Sequence, residues 1–231
     1  LGAIGCYLLC YFMTTERVKI APTHHEEQVS FKETVKALVS NRALLGIIAA
    51  AILLLLASLM TQSVNQYVFV DYFKNKEALA VMSVAGILPM LLMAPFTVPI
   101  TRKYGKKEVG AVGCIIGGIA SLLLFVLQVK SAPVYIAISV IGYFGFGFFN
   151  LIIWAFITDI IDDQEVRTGK REDGTIYAVY SFARKIGQAL SGGLGAYALA
   201  LVGYDSSVQV QTAEVAGGIY NVATLVPGIL Y

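Results

Sequence analysis

The chain has 231 residues, 57% of them hydrophobic and 14% charged, with a formal net charge of +2. Soluble domains carry about 25% charged residues, so this composition excludes a soluble enzyme and predicts a protein that crosses the bilayer several times. So small a positive excess does not suggest a nucleic-acid surface.

Residues 1–13 read as the end of a spanning helix whose start is missing. A signal peptide is excluded because no basic stretch precedes the apolar run and no small-residue cleavage site follows it. The chain starts and stops inside apolar runs, which gives the expectation of a piece of a longer protein. Residues 14–42 form a polar connector with five basic residues, Arg17, Lys19, Lys32, Lys36 and Arg42. Within it, Ser30-Phe31-Lys32-Glu33 has capping-box spacing ahead of Val35, Leu38 and Val39, predicting a short helix along the membrane surface. His24 and His25 stand beside Glu26 and Glu27, but nothing nearby completes a metal ligand set. Cys6, Cys10 and Cys114 lie in apolar segments without ligand spacing and read as core filling.

Residues 43–231 are expected to form one transmembrane bundle of six spans, the last one truncated. In the first, 43–69, a lipid-like first half gives way to Ser58, Thr61, Gln62, Asn65 and Gln66 on one face. That stripe suits either a polar cavity or interhelical hydrogen bonds. After a short turn at 71–77, the second span, 78–100, is expected to kink or break at Pro89, Pro95 and Pro99. A tight basic loop at 101–108 leads to the third span, 109–128, where Gly110, Gly113, Gly117 and Gly118 permit close helix approach. The fourth, 134–158, places Asn150 and Trp154 one turn apart on one face. Trp154 is the only Trp of the chain; a mid-span Trp suits stacking on a sugar ring or core packing equally. Residues 159–174 read as a loop rich in acids and bases, a salt-bridged gate or scaffold that includes Asp159, Asp162, Arg167 and Arg171. The last span, 216–231, is expected to be interrupted by Pro227.

The fifth span, 175–202, holds the strongest functional signal. Arg184 and Lys185 fall in its middle. At about 1.5 Å per residue Lys185 lies ~15 Å beyond Thr175, near the midplane of a hydrocarbon core ~30 Å thick. A cation at that depth costs at least ~2.5–3.5 kcal/mol and is tolerated against a bundle interior or a wet cavity. A helical wheel gathers Tyr177, Tyr180, Ser181, Arg184, Lys185 and Gln188 on one side, with Val179, Phe182, Ala183, Ile186 and Leu190 behind. Two readings follow: the stripe lines a hydrophilic path, or the two cations neutralise carboxylates of a neighbouring helix and hold the bundle together.

Basic residues alternate between the loops. Twelve fall on the side of the connector and three, Lys74, Lys76 and Lys130, on the other. The positive-inside rule puts the connector in the cytoplasm of a multi-pass protein of the cell membrane. No nucleophile elbow, zinc-protease pair, phosphate loop, dinucleotide fingerprint or CxxC pair occurs, so no enzyme chemistry is expected.

The block DIIDDQEVRTGKREDGTIYAVYSFARKIGQALSGG, 159–193, resembles the acid-rich loop, T-G-x-R run and following R-K-x-G-Q helix of the glycoside–pentoside–hexuronide:cation symporters, the melibiose and glucuronide carriers of the major facilitator superfamily. Asp163-Gln164 stands where a Tyr-Gly pair is common, and Arg102 where the superfamily loop usually has an acid. The resemblance covers essentially the whole chain and implies an all-α membrane fold. In it, the end of helix six, a connector and helices seven to twelve form the second half of a twelve-helix carrier. It implies uptake of a glycoside, pentoside or hexuronide coupled to Na⁺ or H⁺, with membrane lipid and an N-terminal six-helix half as partners. It implies no cofactor; the cation-site carboxylates of the family belong to that first half. Lys185 matches the functional Lys of the eleventh helix, Ser181 and Tyr180 match positions that approach the sugar, and Arg184 fills a position often basic in glucuronide-type members. An anionic sugar would suit the Arg fork and the Lys point charge together. Tyr177, Gln188, Trp154, Asn150, Asn65 and Gln62 are read as lining the path. The rival expectation is a six-helix interaction or scaffold module that transports nothing by itself.

Overall fold

The computed structural model describes residues 2–14, 39–169 and 171–231. The predicted surface helix and the His24–Glu27 cluster lie outside the described residues. Two compact units are present, Leu1–Ala37 and Leu38–Tyr231. The first contributes α1, Gly2–Met13, on which Cys6 and Cys10 are exposed instead of filling a core.

The second unit is all helical. Its elements are α2 (Arg42–Tyr67), α3 (Lys76–Tyr104), α4 (Lys106–Leu127), α5 (Ala132–Thr168), α6 (Asp173–Leu201) and α7 (Ala213–Leu230). Among the described residues, five helices are long and apolar enough to cross a membrane: α2 with its extension to Tyr72, then α3, α4, α5 and α7. α6 has 29 residues, ample length for a span, but its polar stripe makes it less apolar than the rest.

Several connections are shorter than the sequence suggests. α2 runs through a π turn, Val68–Tyr72, so most of the supposed turn at 71–77 is helix. Gly105, at φ +94°, is the sole residue between α3 and α4, and the basic loop is really two abutting helix ends. The supposed loop at 159–174 is also mostly helix: α5 continues to Thr168, and only Gly169–Glu172 separate it from α6. The reason is periodic apolar burial, since Ile157, Ile160 and Ile161 continue the packed face of α5 beneath the charges. Neither Pro89, Pro95 and Pro99 nor Pro227 interrupts its helix. Neighbouring helices sustain such prolines in membrane bundles.

Packing rests on small residues. α4 lies along α5 with Gly113 and Gly145 backbone to backbone; a Cβ on either would overlap the carbonyl oxygen of the other. α6 lies along α2 through Ile176, Tyr180, Ala183, Gly187, Ser191, Gly195 and Leu199. A Cβ on Gly187 would sit 3.3 Å from Ile52 Cα. This contact turns Tyr180 off the predicted polar stripe into the packed face beside Ala183, while Phe182 and Ile186 of the apolar back are exposed. Small residues, more than hydrophobic ones, decide the packed face.

Two apolar cores result. One joins Leu44, Ala51, Ile153, Ile157, Ile161, Ile176 and Tyr180 near the basic end. The other joins Val64, Phe69, Met82, Tyr135, Ile219 and Tyr220 at the opposite end. There the Tyr220 hydroxyl donates to the Leu124 carbonyl at 2.7 Å and accepts from Val129 N at 3.1 Å.

Candidate functional site

The middle of α6 carries the candidate site. Arg184 is half-buried, its guanidinium 5.5 Å from the centre of the Trp154 ring and 5.8 Å from that of Tyr180. Such distances fit cation–π attraction. Tyr177 stacks on Trp154 at 5.5 Å and 19° between planes, and Tyr180 meets it edge-on. Trp154 and Tyr177 are 44% and 48% exposed, so the pair forms an accessible aromatic shelf under the cation. Tyr180, at 1%, is instead a core residue that supports the shelf from below.

Lys185 is exposed, and its Nζ donates to Gln188 Oε1 at 3.3 Å. Ser181 is half-buried on the same helix. Among the described residues, no carboxylate lies within 4.0 Å of Arg184 or Lys185. The neutralised-pair reading of these two cations finds no partner among the described residues of this chain. Asn150 joins Arg184 in a narrow recess of about 20 Å³ lined also by Leu54, Leu55, Phe146 and Tyr180. The shelf is thus open, with one wall.

Farther along α2 the predicted polar stripe divides. Asn65 is 4% exposed and tied into the core: its Oδ1 accepts from the Tyr135 hydroxyl at 2.9 Å, and its Nδ2 donates to Tyr143 Oη at 3.5 Å. Gln62 is exposed and borders a groove of about 370 Å³ with Ser58, Asn65, Ser83, Gly86, Tyr143 and Phe146. Tyr143 and Phe146 escaped the sequence reading. The signal was available, because Tyr143, Phe146, Asn150 and Trp154 recur at helical spacing on one face of α5.

The predicted gate residues sit at the basic end; Asp159 follows Trp154 on α5 by about 7.5 Å along the helix. Arg171 reaches Glu165 at 2.7 Å, Asp173 at 3.1 Å and Asp162 at 3.2 Å, tying the end of α5 to the start of α6. Hydrogen bonds to Glu165 and then Asp173 hold its guanidinium even more firmly protonated than usual. Arg167 pairs with Asp163 at 2.8 Å. Asp159 takes Lys106 of α4 at 2.7 Å, a partner the sequence reading left out of the gate. Beneath them, Asn41 caps α2 by accepting from Ala43 N and Leu44 N, both at 3.1 Å, and donates to Gln164 Oε1 at 2.8 Å. That buried bond joins the start of α2 to the end of α5.

The chain matches the family of MFS/sugar transport proteins over residues 3–231. It belongs to that family. It is 31% identical over 230 residues to an uncharacterised symporter of Bacillus subtilis (strain 168), covering 99% of this chain and 49% of the relative. To the glucuronide carrier protein homologue of Escherichia coli (strain K12) it is 31% identical over 223 residues, 96% of this chain and 48% of that protein. A candidate 2,3-dihydroxypropane-1-sulfonate exporter of Salmonella typhimurium (strain LT2) is 30% identical over 226 residues, 96% and 48%. The chain spans about half the length of the curated relatives it matches. As an MFS/sugar transport family member it is a multi-pass membrane protein of a transporter family and not of an enzyme family. A small solute is the substrate class that such a family implies.

Proposed function

We propose that this chain forms the C-terminal half of a secondary active transporter that couples uptake of an anionic glycoside or hexuronide to Na⁺ or H⁺. The observation that supports the reading is the pair of cations in the middle of α6, Arg184 and Lys185, with no carboxylate partner among the described residues and the exposed Trp154–Tyr177 shelf beside Arg184. A carboxylate or sulfonate meets Arg184 in fork geometry and Lys185 as a point charge, while the sugar ring covers the shelf. Ser181, Gln188, Asn150 and Gln62 offer neutral donors and acceptors along the path. The relatives named for a glucuronide and for a sulfonate, both anions, support this choice of charge.

The N-terminal half supplies the facing wall and the coupling-cation site. The connector and the ion-paired end face the cytoplasm, in keeping with twelve basic residues on that side against three on the other. Asp159, Asp162, Arg167 and Arg171 then act as a cytoplasmic latch that holds α5 against α4 and α6 as the halves rock.

Lys185→Ala in the full-length protein is expected to abolish sugar accumulation without loss of expression. Normal accumulation by a well-expressed variant removes Lys185 from the mechanism. Residues 1–231 reconstituted alone in liposomes are expected to give no sugar flux, since they build one wall of the path; flux from them would contradict the half-cavity reading.

A further inference from the structure

We infer that the groove between α2, α3 and α5 is a second subsite, built for an uncharged, hydroxyl-bearing sugar ring attached to the anionic one. The inference rests on the reading of Arg184 and Lys185 as the anion site and adds the size of the substrate.

The groove encloses about 370 Å³, within the range of about 300–1,000 Å³ common to small-molecule sites. Its lining includes no Asp, Glu, Lys, Arg or His. The polar groups are the hydroxyls of Ser58 and Ser83, the amides of Gln62 and Asn65, and the Tyr143 phenol. The Ser83 hydroxyl donates to the Leu79 carbonyl at 2.9 Å, which leaves its oxygen free to accept. Asn65 and Tyr143 are fixed by their mutual bond and by Tyr135, so they are preoriented. The same helices also line the groove with Leu79, Met82, Ile87 and Phe146. A lining that mixes apolar side chains with neutral hydrogen-bonding groups matches a pyranose, which has C–H faces and hydroxyl edges. A charged group in the same place would be left unpaired in a low-dielectric site.

The groove adjoins the anion site. Phe146 lines both it and the Arg184 recess, and Ser58 stands one turn beyond Leu54 and Leu55 of that recess. From Leu55 to Gln62 the rise along α2 is about 10 Å, the span of two linked sugar rings. Arg184 and the shelf take the acidic ring, and the groove takes its neutral neighbour.

Gly86 gives the test. A Cβ there meets only Tyr143 Cε2, at 3.9 Å, so a larger side chain fills the groove without disturbing the helices. Full-length protein is assayed by calorimetry with glucuronic acid and with a disaccharide of a neutral hexose linked to glucuronic acid. The wild type is expected to bind the disaccharide at least tenfold more tightly. Gly86→Leu and, separately, Gln62→Ala are expected to shrink that advantage to threefold or less, whereas Arg184→Gln weakens both ligands. An advantage that persists in both groove variants, or is absent from the wild type, overturns the subsite. Loss of the advantage in the groove variants with no effect of Arg184→Gln retains the groove and refutes the anion site instead.

Discussion

Two clusters of cations in this molecule use the same residue types to opposite ends. At the basic end, Lys106, Arg167 and Arg171 all sit within 3.2 Å of carboxylates. In the middle of α6, Arg184 has aromatic rings and Lys185 an amide for company, with no acid within 4.0 Å among the described residues. The first arrangement is closed on itself and holds helix ends together. The second has no carboxylate partner among the described residues, and on the proposed reading an anionic guest meets its charge. The difference teaches that a cation's role in a membrane bundle is read from its partners, not from its depth alone.

The comparison breaks most visibly through packing. Gly113→Val forces a side chain onto the Gly145 carbonyl and is expected to cost roughly 1–3 kcal/mol or more. Size-exclusion chromatography of the detergent-solubilised full-length protein should show loss of the monodisperse peak. A normal peak and an unchanged melting temperature would contradict the backbone contact. Next comes Arg184→Lys, which keeps charge but gives up the fork and most of the contact with Trp154. Loss of charge-assisted hydrogen bonds worth about 1.5–3 kcal/mol predicts a 10- to 100-fold rise in Kd for a glucuronide.

Asn41→Ala removes a helix cap and a buried bond to Gln164 together, for an expected loss of about 1–2 kcal/mol by thermal unfolding, with sugar affinity retained. The smallest effect belongs to Lys106→Ala. Both members of its pair with Asp159 are partly exposed, and exposed pairs are worth about 0–1 kcal/mol. A shift in melting temperature below about 3 °C is expected, and a large fall in affinity would mean that the two clusters are coupled.

The sequence made the spans, the alternation of loop charge and the cations of α6 legible, because hydropathy, charge and position in a helix are local properties. Its errors share one cause. The charged run after residue 158 looked like a loop because its acids and bases mask the buried Ile157, Ile160 and Ile161 face. Tyr180 was assigned to the polar stripe, yet the close contact of Gly187 with Ile52 sets the rotation of α6 and turns Tyr180 inward. Asn65 lines the groove, but its amide is also held by Tyr135 and Tyr143, partners 70 and 78 residues away that no local pattern reveals. The Asn41–Gln164 bond, across 123 residues, was invisible for the same reason.

The decisive measurement is the binding preference of the full-length protein for a glucuronide over the matching neutral glucoside, in the wild type and in Arg184→Gln/Lys185→Gln. The account predicts a preference of at least tenfold in the wild type that vanishes in the double variant while the neutral glucoside binds as before. An equal preference in both proteins would contradict it, and the two unpaired cations would have to serve something other than the sugar.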